Sequence, residues 1–112
     1  MNYSIKTYPA FDKELKRLAK RYKSLKDDVR RLAVDLLANP VQGVDLGGGM
    51  RKVRMSITSK GKGKSGGARV ITVLVARSEV EHEIGLHYIY DKSERDNLTD
   101  AEMKDIIVRN GL

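Results

Sequence analysis

No cysteine and no tryptophan occur in the chain, and phenylalanine occurs once. Without cysteine there is neither a disulfide nor a thiolate zinc site, which suits a reducing compartment. Histidine is almost as scarce. His82 and His87 stand five apart with no cysteine to join them, which does not make a four-ligand site. No metal and no cofactor are therefore expected. No stretch nears the roughly 18 apolar residues of a membrane span, and Met1 to Thr7 lacks a signal peptide's apolar run. These absences point to a soluble, cytoplasmic protein with no membrane partner. Low-complexity segments, internal repeats and domain linkers are missing too, so residues 1–112 read as one domain with one modest core.

A further absence is local. From Arg51 to Arg69 there is no acid, while Arg51, Lys52, Arg54, Lys60, Lys62, Lys64 and Arg69 are all basic. The chain has 22 basic and 15 acidic residues, and removing these seven leaves 15 of each. The whole excess of positive charge thus sits in one short segment, a field that attracts a polyanion.

What is present is regular. Asn2 to Tyr8 alternates as a short strand, and Pro9 suits the first turn of a helix carrying Phe11, Leu15, Leu18, Ala19 and Tyr22 on one side. After a one- or two-residue break, Ser24 is placed to cap a second helix whose stripe is Leu25, Val29, Leu32, Ala33, Leu36 and Leu37. Asn39-Pro40 stops it, and the two helices predict an antiparallel hairpin. Val41 to Gly49 reads as a loop, Arg51 to Ile57 as a strand and Thr58 to Gly67 as a flexible basic loop. Arg69 to Ala76 is a β-branched central strand, Arg77 to Glu83 a turn and Ile84 to Tyr90 the next strand. Leu98, Thr99, Glu102 and Met103 form a capping box with a hydrophobic staple, opening a last helix near Asp100 to Arg109. The order β-α-α-β-β-β-α predicts an α+β fold. It is a mostly antiparallel sheet of about four strands, with the helical hairpin on one face and a short C-terminal helix.

Gly61 to Ser65 is not a phosphate-binding P-loop. That motif needs glycine where Thr58 stands, and a helix afterwards where a strand follows. The glycines still let backbone approach phosphates, and Lys60, Lys62 and Lys64 supply charge, so these lysines are candidates for binding an RNA backbone. Lys52 and Arg54 share a strand face, and Arg69 opens the neighbouring strand beside them. Three cations on one face repel each other unless an anion sits among them. Tyr88 and Tyr90 share a face of the next strand, and Tyr90 is the candidate for stacking on a base. Glu94 is placed to orient a nearby cation or act as a base, and His87 faces away from Tyr88.

These segments resemble a known family. Phe11-Asp12-Lys13-Glu14-Leu15-Lys16-Arg17-Leu18, Asn39-Pro40-Val41-Gln42-Gly43 and Met50-Arg51-Lys52-Val53-Arg54 are similar to the first helix, a turn and a strand of RelE/ParE-type toxins. The run from Ser59 to Ile71 and the run Ile89-Tyr90-Asp91-Lys92-Ser93-Glu94 resemble the HigB-like subgroup of RelE. The resemblance implies a RelE-like fold and the toxin of a toxin–antitoxin pair that cleaves mRNA, usually on the ribosome, and is blocked by a cognate antitoxin. The catalytic cations it implies are Lys52, Arg54, Arg69 and Lys92. Many RelE proteins also carry a tyrosine shortly after, where this chain has Asp96-Asn97-Leu98.

The chemistry agrees with that reading. The RNA 2′-hydroxyl can attack the adjacent phosphate if cations stabilise the dianionic transition state. Lysines crowded by like charges give up a proton more readily, so Lys52 is the candidate base. Arg54 and Arg69 would hold the phosphate and Lys92 would protonate the leaving oxygen. Two alternatives belong to other classes: a ParE-like inhibitor that binds DNA gyrase, whose branch generally lacks these cations, and a non-enzymatic basic RNA-binding module.

Overall fold

The computed structural model describes residues 1–61 and 63–112; Lys62, one of the predicted RNA-binding lysines, lies outside them. Strand β1 (Asn2–Thr7) leads into α1 (Pro9–Ala19), α2 (Leu25–Ala38), β2 (Val44–Gly47), β3 (Met50–Met55), β4 (Ala68–Ala76), β5 (Glu81–Asp91) and α3 (Asp100–Arg109). A single 3-10 turn, Thr58–Lys60, follows β3. The sheet order is β1-β5-β4-β3-β2, with β1 parallel to β5 and every other pair antiparallel.

The predicted α+β, mostly antiparallel architecture is present, with five strands rather than about four. The added strand is β2, inside the stretch read as a loop. Gly47, Gly48 and Gly49 all take positive φ, a conformation costly for other residues. They turn the chain back so that Val44 pairs with Lys52 and Asp45 with Arg51. At Gly49 a side chain would also collide with the Leu74 carbonyl oxygen, 2.7 Å from where a Cβ would sit.

The connection between α1 and α2 runs from Lys20 to Ser24, longer than the predicted one or two residues. Ser24 occupies the N-cap position without capping the helix. Its hydroxyl instead donates to the Asp28 carboxylate and accepts from the Ser59 amide at 2.8 Å. The reason is burial: Asp28 is 3% exposed and must be saturated with donors.

The helical hairpin covers one sheet face. Phe11 and Leu18 of α1 and Leu25, Leu32 and Leu36 of α2 pack on Val53, Met55, Val70, Ile84, Leu86 and Ile89. Leu37 stands outside this stripe and is exposed. Helix α3 covers part of the opposite face, where Leu98 and Met103 pack on Ile71 and Tyr90, with Tyr88 and Ile106 beside them. Its predicted capping box is formed, Thr99 accepting from the Glu102 amide while the Glu102 carboxylate accepts from the Thr99 amide. Near the end of α3, Ile106 packs into this second cluster and Val108 is exposed.

Candidate nucleic-acid interface

Side-chain alternation decides which residues meet. In β3, Val53 and Met55 point into the hairpin core, so Lys52 and Arg54 point to the other face. The register sets Arg54 opposite Arg69, and Arg69 opposite Tyr90 on the next strand. One residue pair along, Lys52 lies opposite Ile71, which lies opposite Tyr88. A row of two arginines and a tyrosine thus crosses three strands, with Lys52 beside it. The predicted juxtaposition of Lys52, Arg54 and Arg69 is present.

The segment between β5 and α3 closes the arrangement. Lys52 donates to Asn97 Oδ1 at 3.0 Å, and Lys92 donates to the Asp96 carbonyl at 2.7 Å. The neighbouring residues Asp96 and Asn97 therefore bring two lysines from distant parts of the chain to one place. Both acceptors are uncharged backbone or amide oxygens, except for a 3.1 Å contact of Lys92 with the highly exposed Asp96 carboxylate. Sequence patterning did not single out Asp96 or Asn97, because their partners are more than forty residues away or depend on the turn itself.

Arg54 is exposed and Arg69 is not. The Arg69 guanidinium, 6% exposed, donates to the carbonyls of Lys64 (3.0 Å), Ala68 (3.2 Å) and Ser65 (3.2 Å). It fastens the end of the basic loop instead of facing solvent, where the sequence reading has it hold phosphate together with Arg54. Lys64 remains exposed at the mouth of a cleft that Arg54 also lines.

Two other predicted RNA-binding residues are placed elsewhere. Lys60 turns inward, its ammonium 2.7 Å from the fully buried Asp91 carboxylate and 3.0 Å from Ser93 Oγ. Burial alone would raise the Asp91 pKa, but hydrogen bonds from Lys60, Tyr22 and Ser93 outweigh it and hold the carboxyl well below its ordinary range. Tyr90 is 3% exposed, packed against Ile71, Leu98 and Met103, so its ring has no open face for a base. Its hydroxyl is buried without a partner among the described residues. Burial raises its pKa, opposed by the nearby Arg69 and Arg95.

Glu94 orients cations, as one of its two readings held, but these belong to α1: it accepts from Arg17 at 2.8 Å and from Arg21 at 3.2 Å. Hydrogen bonds from Arg17 hold its pKa below the ordinary value. His87 is fully buried, its ring stacked on Tyr8 at 4.0 Å between centroids, away from the cation row. It occupies a bulge, since Ile71 pairs with Tyr88 and Thr72 with Leu86. Among the described residues no three His, Cys, Asp or Glu side chains stand close enough to hold a metal ion.

A five-stranded sheet carrying an α-helical hairpin on one face and a row of cations on the other can be compared with known families. The model of the RelE toxin of the RelE/RelB toxin–antitoxin system matches residues 10–108. The chain belongs to the RelE toxin family. No curated protein matches it. The matched span contains nearly all of α1, all of the cation row, the Asp96–Asn97 segment and nearly all of α3. This RelE-type toxin is thus the toxin component of a toxin–antitoxin pair, which implies an antitoxin partner. No helix among the described residues is long and apolar enough to cross a membrane.

Proposed function

We propose that this RelE-type toxin is a metal-independent endonuclease acting on mRNA at the ribosome, in the cytoplasm. The observation that carries the reading is the convergence of Lys52, Arg54 and Lys92 around one strip of the sheet, with Arg69 buried in it. A phosphodiester laid on this strip meets Arg54, whose guanidinium can bind two phosphate oxygens at once. Lys52, steered by Asn97, takes the proton of the 2′-hydroxyl as that oxygen attacks the phosphorus. The dianionic transition state gains from cations already fixed in place. Lys92, steered by the Asp96 carbonyl, gives a proton to the departing 5′-oxygen. Arg69 acts through the loop it fastens and is a positioning residue, while Lys64 contacts the backbone beyond the cut. Lys60 is left out of the RNA contacts because Asp91 holds it.

This course leaves a 2′,3′-cyclic phosphate or 3′-phosphate and a free 5′-hydroxyl. The test uses translating ribosomes and an mRNA with a single 2′-deoxy nucleotide at the cleaved position, read by primer extension. The all-ribose message should be cut and the deoxy message should stay intact. Cutting of both would mean that the attacking oxygen comes from water, and the proposed chemistry would be wrong.

A further inference from the structure

We propose that the cleft between α2 and β3 is a subsite for one unpaired guanine next to the cleaved phosphate, with Asp35 as the residue that selects it. The proposal rests on the endonuclease reading for its place in catalysis. The cleft exists because β2 pairs with β3 only from Met50 to Lys52. Beyond Lys52 the outer edge of β3 has no neighbouring strand, and α2 runs alongside it. The space left is about 170 Å³. That is below the usual range for a drug-sized ligand or cofactor, and suits a single heterocycle.

Its lining divides by chemistry. Leu32 and Met55, both buried, offer an apolar surface to the face of a base. Arg54 and Lys64 stand at the side that adjoins the cation row, where the sugar-phosphate of the same nucleotide would lie. The acids are unequal. Asp28 is saturated by Ser24, Thr58 and Arg31 and has no capacity to spare. Asp35 lines the same cleft, is exposed, and its carboxylate has no partner among the described residues. Its backbone carbonyl accepts from the Asn39 amide and from Gln42 Nε2, each at 2.8 Å. A second bond from Gln42 Nε2, to the Asn39 carbonyl at 2.9 Å, fixes that amide and leaves its oxygen as another acceptor.

A carboxylate with both oxygens available is an acceptor pair. Guanine alone among the four bases presents two adjacent donors on its Watson–Crick edge, the ring N–H and the amino group. Adenine and cytosine set a ring-nitrogen lone pair beside their amino group, and uracil sets carbonyl oxygens on both sides of its N–H. Each of these would place a lone pair against the second carboxylate oxygen. Unpaired bases are read on this edge, and a charged acceptor strengthens both bonds.

The test uses GMP and UMP as probes in amide NMR titrations of the full chain, wild type and Asp35→Asn. Asp35 is a surface residue, so the substitution leaves the core untouched. GMP should shift the amides of Asp35, Gln42 and Ser56 and bind at least about tenfold more tightly than UMP, the scale of one bidentate base contact. Asp35→Asn should erase that difference. Equal binding of the two nucleotides, or shifts confined to Lys64 and Ser65, would overturn the proposal. Cleavage separates the two readings. A wild type that cuts mRNA while Asp35→Asn cuts at the same sites with the same base preference defeats the guanine subsite and leaves the endonuclease standing. A chain that binds GMP selectively but cuts no mRNA on ribosomes defeats the endonuclease and leaves the cleft.

Discussion

Lys52 and Lys60 differ by eight positions in the same acid-free segment, yet the fold gives them opposite tasks. Lys52 is half-buried and its ammonium is held by one neutral oxygen of Asn97. Such an acceptor orients the amine that is proposed above as the base. Arginine at this position keeps the charge and the length but cannot act as a base at neutral pH. Lys52→Arg should therefore lower mRNA cleavage by about 10²-fold or more, within the range for losing a general base. RNA binding by gel shift should stay within a factor of a few. A Lys52→Arg protein that cuts at the wild-type rate would remove Lys52 from the role of base. Lys60 instead neutralises a carboxylate with no access to water. Removing one partner of a buried pair costs about 3–5 kcal/mol, because the other charge is left uncompensated. Lys60→Ala should thus move the urea midpoint down sharply. If its midpoint is unchanged and the salt dependence of RNA binding flattens, Lys60 is a docking residue after all.

At the scale of elements, what could be read from the chain and what could not divide along local and non-local lines. Helix α3 was legible to the residue, because its capping box lies within four consecutive positions and needs nothing else. The shared face of Lys52 and Arg54 was legible for the same reason, since a strand's two-residue period is local. Strand β2 was not: four residues with one half-buried leucine carry no pattern, and only pairing with β3 makes them a strand. The bulge at His87 and the burial of Tyr90 were hidden too, because a period says which face a residue takes and not whether a helix later covers it. The basic loop shows the same limit. Its composition reads as flexible, but Arg69 binds two of its carbonyls from β4, those of Lys64 and Ser65, and the Lys92 amide donates to the Gly67 carbonyl at 3.0 Å. The loop's end is therefore held by the sheet that carries the site. Arg69→Ala should release it and reduce cleavage about 10²-fold while the far-ultraviolet circular dichroism is unchanged, with Arg69→Lys failing to restore activity because a single ammonium cannot replace the planar fork. Full activity in a folded Arg69→Ala protein would show that the loop needs no such anchor.

Across the whole molecule, the two sheet faces are tied together near both chain ends by one half-buried polar side chain. Asn110, just past α3, donates its side-chain amide to His87 Nδ1 and to the His87 carbonyl, each at 3.0 Å, and its Oδ1 accepts from the Ala10 amide at the start of α1. The C-terminal helix on one face is thereby pinned to the first helix of the hairpin on the other, through the bulge of β5. The arrangement requires His87 to accept at Nδ1, which only the neutral ring can do. Burial lowers the His87 pKa from 6.5 to about 4, with Glu83 opposing the shift. The unfolded chain takes up a proton near 6.5 and the folded one does not until about 4. Stability from this group is therefore complete above pH 6.5 and is lost as pH falls from there to about 4, by about 3 kcal/mol in all. Asp91 acts in the same direction only at lower pH, because its folded value is depressed and its contribution persists until pH falls below the usual carboxylate range. Between pH 7 and 5 the decline should consequently belong to His87 and not to the carboxylates. Urea melts across that interval should show falling midpoints for the wild type. For His87→Gln, whose side chain does not titrate, the curve should start lower and run flat. A His87→Gln curve parallel to that of the wild type would mean that the acid sensitivity resides elsewhere and that Asn110 does not depend on a neutral ring.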